Sequence, residues 1–198
     1  MRKLGMVLVA LASLSLLFSA PALAMNWSIG GNLGYELLIP SDKDVDNLNL
    51  FGWPSMNTFG YPYSVPAGFR VGFAGDKPQH EVCLLLAMSV TAGGGDSWST
   101  YGITGNYQYN FVSKGPTTPF VTAGLGFQGF SASGEGSESA GSFLFGGGVG
   151  LSRKVGAQGR IRAEARYDRN TKGEKGGDVY IPEASHISLR LGFDLWGK

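Results

Sequence analysis

The sequence has 198 residues with 16 basic and 15 acidic side chains, a balance that excludes electrostatic recruitment of nucleic acid. Its single cysteine excludes an internal disulfide and the cysteine-rich zinc motifs. Glycine is abundant at 32 residues and aromatic residues make up 12%, which together predict an all-β chain, because glycine in a helix interior costs about 1 kcal/mol relative to alanine.

The first 24 residues are typical of a secretory signal peptide. Arg2 and Lys3 precede an apolar stretch at residues 4–18, and the segment ends in Ala-Leu-Ala, a small-residue cleavage motif. The expected mature chain, residues 25–198, has no run of 18 apolar residues, so a membrane-spanning helix is not predicted. The exported chain is therefore either soluble or crosses a membrane by another route.

Eight segments of the mature chain alternate apolar and polar residues with the period of two that a β-strand requires. In chain order they lie within residues 26–39, 67–73, 82–91, 100–111, 121–128, 143–152, 160–170 and 186–195. With one exception, the first, third, fifth and seventh connectors are longer than the others. Short turns on one side and longer loops on the other are typical of outer-membrane barrels. We predict an eight-stranded antiparallel up-and-down transmembrane β-barrel in the outer membrane.

A soluble, periplasmic lipocalin-like binding protein is the alternative, because such a barrel holds its apolar faces inside. Two observations favour the membrane barrel. The polar faces of the second, fifth and sixth segments are largely glycine, which suits a crowded lumen better than a water-facing surface. Aromatic residues also gather near segment ends, as interfacial girdles do.

Three stretches carry a resemblance to a known family. PFVTAGLGFQGF (Pro119–Phe130), RIRAEARYD (Arg160–Asp168) and an amphipathic last strand closing in Leu195-Trp196 resemble the eight-stranded outer-membrane β-barrel domain family, which includes OmpX- and OmpA-type barrels. The resemblance implies a single barrel domain over residues 25–198. It also implies contact with outer-membrane lipid and lipopolysaccharide, and with the barrel assembly machinery during insertion.

The seventh segment places a charged or polar side chain at every even position from Arg160 to Asn170. Eight strands leave an interior just wide enough for side chains to fill, so charges on this face require partners. We predict a network in the lumen, opposite a wall of small, uncharged residues from the third to sixth segments. This network either plugs the barrel or lines a narrow polar path. Its predicted members are Glu36, Arg70, Arg162, Glu164, Arg166, Asp168, His186, Arg190 and Asp194.

The first connector, residues 40–66, is long, aromatic and rich in proline. Long loops without secondary structure tend to be functional. On the cell exterior this one would lid the barrel or contact a surface partner; alternatively, it packs on its own rim. The candidate contact residues are Phe51, Trp53, Phe59, Tyr61 and Tyr63.

An enzyme is a further alternative. His186 and Ser188 share a face, with Glu164 or Glu183 as a third member, so a lipid A-modifying hydrolase is one hypothesis. Lipid does not reach a pair in the lumen, which favours a non-enzymatic protein. The glycine motif at residues 124–129 lies within a strand and lacks the following helix that phosphate binding requires. We expect no cofactor or metal, and a structural, surface-interaction or minor small-solute role.

Overall fold

The computed structural model describes residues 26–43, 46–51, 68–75, 77, 79–93, 96–133, 138–175 and 178–197. No helix in these ranges is long and apolar enough to cross a membrane. The strands in the same ranges are β1 (Asn26–Pro40), β2 (Leu48–Phe51), β3 (Gly68–Ala74), β4 (His80–Gly93), β5 (Asp96–Asn110), β6 (Thr117–Ser133), β7 (Glu138–Val155), β8 (Gly159–Asn170), β9 (Gly173–Lys175), β10 (Asp178–Ile181) and β11 (Ala184–Gly197).

Eight of these strands form one closed barrel. They pair antiparallel in the order β1, β3, β4, β5, β6, β7, β8, β11, and β11 pairs with β1 along its length, from Trp27 opposite Gly197 to Pro40 opposite Ala184. Closure satisfies the backbone groups of both edge strands, which is necessary in lipid, where each unsatisfied group costs several kcal/mol. The predicted eight-stranded antiparallel barrel is confirmed.

Several strands extend beyond the alternating segments of the sequence. β6 and β7 remain paired from Thr117 opposite Arg153 to Ala132 opposite Glu138, although the alternation indicated shorter strands. Backbone pairing does not require an apolar outer face, so the ladder continues past the apolar belt. We call the barrel end with the β3–β4, β5–β6 and β7–β8 connections the turn end, and the opposite end the loop end.

Short strands add to the barrel at the loop end. The barrel strand β3 pairs with β1 only over Asn26–Asn32. Nearer the loop end, the short strand β2 pairs with β1 over Tyr35–Leu38. β9 and β10 form a separate antiparallel hairpin between β8 and β11. Ile181 of this hairpin packs with Phe130 and Ala140 in a buried apolar group, which we call the mouth cluster.

The side chains divide by face as a membrane barrel requires. Large apolar residues stay exposed on the outside, with Leu125 at 62%, Leu189 at 60% and Leu191 at 63% exposure. The inner face holds mainly polar and charged side chains, such as Glu36 and Arg70. A lipocalin-like barrel needs the reverse arrangement, so that alternative is wrong.

Candidate functional site

All nine predicted network residues face the lumen, and none is more than 7% exposed. The closed ladder brings them together, because β3, β1, β11 and β8 are consecutive around the barrel. Their hydrogen bonds and ion pairs fall into three groups, arranged from the turn end to the loop end.

Asp194 is the centre of the group nearest the turn end. The Nε atom of Arg162 lies 2.5 Å from Asp194 Oδ2, and Nη1 of Arg70 lies 3.4 Å from Asp194 Oδ1. Arg162 also donates from Nη2 to Asn32 Oδ1 at 2.8 Å. One carboxylate thus joins guanidinium groups from β8 and β3, which lie on either side of β11 and β1.

Glu81 of β4 is a network member that the sequence analysis missed. It is 1% exposed and pairs with Arg70, while its Oε2 accepts from Gln108 Nε2 at 3.4 Å and lies 3.7 Å from Arg160 Nη1. Glu81 is thus a charged exception to the wall of mainly small, uncharged residues expected from the third to sixth segments, which lie in β4 to β7. The sequence did contain a signal: Glu81 precedes Cys83 by two residues, so the two side chains share one face of a strand. The prediction missed it because β4 begins at His80, before the apolar alternation starts.

Asp168 is the centre of the middle group. Its two oxygens each accept from Arg166 Nε at 2.8 Å, and Oδ2 also accepts from Arg190 Nη2 at 3.1 Å. Glu164 completes the group, with its Oε1 at 3.6 Å from Arg166 Nη1 and accepting from Thr122 Oγ1 at 2.5 Å. Thr122 lies on β6, so this group reaches past β7 to the next strand but one.

His186 is the centre of the group nearest the loop end. Its Nδ1 lies 2.8 Å from Glu36 Oε1, and its Nε2 lies 2.7 Å from Asn170 Oδ1. Asn170 donates from Nδ2 to the carbonyls of Thr171 and Pro182, so its Oδ1 is the atom that accepts from the histidine ring. The same asparagine thereby fastens both ends of the β8–β11 connection.

The arrangement expected of a serine hydrolase is not assembled among the described residues. Both ring nitrogens of His186 face other partners, and Ser188 Oγ accepts from Arg190 Nε at 3.1 Å. Of the two third members considered, Glu164 belongs to the middle group and Glu183 pairs with an arginine on the outer surface. A nucleophile requires hydrogen-bond contact with its base.

Glycine on β7 lets the network approach the neighbouring strand. A Cβ at Gly146 would collide with the Asp168 carboxylate and the Tyr167 carbonyl oxygen. We expect Gly146→Ala to reduce the free energy of unfolding by about 1–3 kcal/mol through overpacking. The fraction of refolded protein with heat-modifiable gel mobility would measure the effect. Gly105→Ala is the control, since its Cβ would lie 4.0 Å from the nearest atom; equal losses in both variants would contradict the prediction.

The candidate contact residues of the first connector are largely outside the described residues. Phe51 belongs to β2, where its backbone lies opposite Tyr35. Trp53, Phe59, Tyr61 and Tyr63 are outside the described ranges. Their role in contacting a partner stays a prediction.

No protein family model matches the sequence, and no curated protein sequence is significantly similar. Solved structures share the fold. Neisserial surface protein A aligns with a TM-score of 0.59 and 14% identity, over 85% of this chain and 96% of that one. A major outer membrane protein from Thermus thermophilus aligns with a TM-score of 0.55 and 13% identity, over 88% of this chain and 100% of that one. The chain therefore has the fold of the small outer-membrane β-barrels, in agreement with the localisation predicted from its sequence.

Proposed function

We propose that this protein is a non-enzymatic outer-membrane barrel whose lumen is a structural polar core, and whose contacts with other molecules occur at the loop end. One observation carries the proposal: ion pairs span the lumen, linking β3 and β8 through Asp194 and joining the opposite strands β8 and β4 through Arg160 and Glu81. Eight strands leave room for these side chains and little else.

The balance of charge supports a plug. The described lumen buries four arginines and five carboxylates, and His186 supplies a fifth positive charge when it is protonated. A passing ion would have to separate these pairs, and removal of one partner from a buried pair typically costs about 3–5 kcal/mol. A core of this kind fixes strand register, because each pair forms at only one stagger of its strands.

The loop end is the proposed interaction surface. The aromatic, proline-rich first connector supports this role, as does the pairing of β2 with β1, which ties part of that connector to the barrel. With this end facing outward, its partners are lipopolysaccharide and a surface molecule. Lipid contacts the apolar belt, and the assembly machinery acts during insertion.

Planar bilayer recordings test the plug. We expect the wild-type protein to give no conductance steps above the bare bilayer, and Arg190→Gln to be equally silent, because Arg166 still pairs with Asp168. Heat-modifiable mobility of the same samples would show that both barrels are closed.

Arg153→Gln is the matched control, since Arg153 is exposed on the outside of β7. Wild-type steps that change size in Arg190→Gln but not in Arg153→Gln would refute the plug. That result would support the minor small-solute role, with the network as the lining of a polar path.

A further inference from the structure

A groove on the outer face of the barrel follows β8. It encloses a volume of about 900 Å³, and its lining is almost entirely apolar. Ala163 and Ala165 form the floor, because both face outward and their side chains are shorter than those on either side. The walls are the residues directly opposite these alanines on the neighbouring strands: Val149 and Leu151 of β7, and Leu189 and Leu191 of β11.

Three basic residues gather at the turn-end edge of this groove. Arg153 follows Leu151 by two residues on the outward face of β7, a step of about 7 Å. The backbone N–H of Lys154 donates to the carbonyl of Pro116 at 3.1 Å, which joins the end of β7 to the β5–β6 connection that carries Lys114. We call Lys114, Arg153 and Lys154 the basic corner.

The basic corner lacks a counter-charge within the part of the chain that the structure describes. All three side chains are exposed, and none of them takes part in an ion pair with a described residue. Residues 111–118 and 153–159 contain no acidic residue. Arg160 lies directly opposite Lys154 on β8, and like charges in that position repel each other. A bound anion would offset this repulsion.

We propose that the groove and the basic corner together bind one anionic phospholipid of the periplasmic leaflet. The corner contacts the phosphate, whose oxygens are strong acceptors for arginine and lysine, and the acyl chains lie in the groove. A second copy of this chain on the same groove is disfavoured, because a two-fold interface would bring two basic corners to the same membrane depth. The site lies on the outer face, so it goes beyond the structural role proposed above and does not depend on the conductance result.

Native mass spectrometry of the whole barrel refolded in detergent tests the site. Dioleoylphosphatidylglycerol, which is anionic, is compared with dioleoylphosphatidylcholine, which has the same acyl chains and no net charge. Each cation near an anionic lipid surface contributes about 1 kcal/mol, or about fivefold in affinity. We therefore expect one phosphatidylglycerol per barrel, bound at least about tenfold more tightly than phosphatidylcholine.

Neutralising the basic corner tests the headgroup contact. Lys114→Gln/Arg153→Gln is expected to remove the preference for phosphatidylglycerol. Lys43→Gln/Lys172→Gln is the matched control, because it removes two exposed cations at the loop end, and it is expected to bind as the wild type does. The proposal is overturned if the wild type binds both lipids equally, or if the two double variants lose the preference to the same extent.

Filling the groove tests the acyl-chain contact. Ala165→Phe places a ring on the floor and is expected to weaken phosphatidylglycerol binding about tenfold. Val82→Phe is the control, since Val82 is 55% exposed on β4, at the opposite side of the barrel. Heat-modifiable mobility would show that both barrels are closed. Equal binding by the two variants would overturn the proposal, and so would a wild-type dimer that Ala165→Phe dissociates, which would assign the groove to a second copy.

Discussion

Asp194→Asn is expected to lower the free energy of unfolding by about 3–5 kcal/mol. The substitution keeps the shape of the side chain and removes the charge that joins Arg70 to Arg162. Arg70 keeps Glu81 as a partner, whereas among the described residues Arg162 keeps no charged partner and retains the neutral acceptor Asn32. An uncompensated guanidinium buried in the lumen is the physical cause of the loss.

Equilibrium urea unfolding of the protein refolded into lipid vesicles, followed by tryptophan fluorescence, measures this effect. Glu183→Gln is the matched control, because it removes the carboxylate of an ion pair with Arg169 on the outer surface, which water and salt screen. We expect that variant to unfold like the wild type. If both variants lost similar stability, the lumen network would not be the main polar contribution to the fold.

Leu125→Arg is expected to cost about 2–4 kcal/mol in a lipid bilayer. Leu125 lies at the middle of β6, faces outward and is 62% exposed. In water such a residue tolerates arginine at little cost, so a large penalty arises only if this face contacts hydrocarbon. The same vesicle unfolding assay provides the measurement.

Val112→Arg is the depth control for this substitution. Val112 is 80% exposed and follows β5 at the turn end, where the barrel meets the interface. Arginine near the interface is expected to cost only about 0–1 kcal/mol. Equal costs at Leu125 and Val112, or no cost at either, would contradict the membrane placement of the outer face.

Asp194→Asn and Leu125→Arg probe opposite faces of the barrel wall, the first facing the lumen and the second facing outward. Arginine is expected to destabilise the barrel on the outside at position 125, whereas the native Arg162 lies inside the barrel within the ionic network. The difference lies in the partners: Asp194 and Asn32 satisfy Arg162 in the lumen, and lipid offers nothing equivalent. Position in the strand, odd or even, thus decides whether the same charge stabilises or disrupts the protein.

The sequence by itself determined which face each side chain occupies. Alternation with period two is a local property, so Arg162, Glu164 and Arg166 had to share one face of a strand while Ile161 and Ala163 shared the other. The same argument indicated the eight strands, their antiparallel order and the outward position of the apolar residues. The position of Glu81 on the inner face also follows from this alternation. Glu81 was not predicted because β4 begins with polar residues, whereas the predicted segment began at its first apolar residue.

Only the tertiary structure decided which side chains meet. The contact of Asp194 with Arg70 and Arg162 depends on the stagger of β3, β1, β11 and β8 around the closed barrel, and stagger is a global quantity that no single segment encodes. The link from Glu36 through His186 to Asn170 depends on the same closure. The buried hydroxyls of Thr100 and Ser142, which have no hydrogen-bond partner among the described residues, are likewise a property of the assembled lumen, because a hydrogen bond is present or missing only once every neighbouring strand is in place.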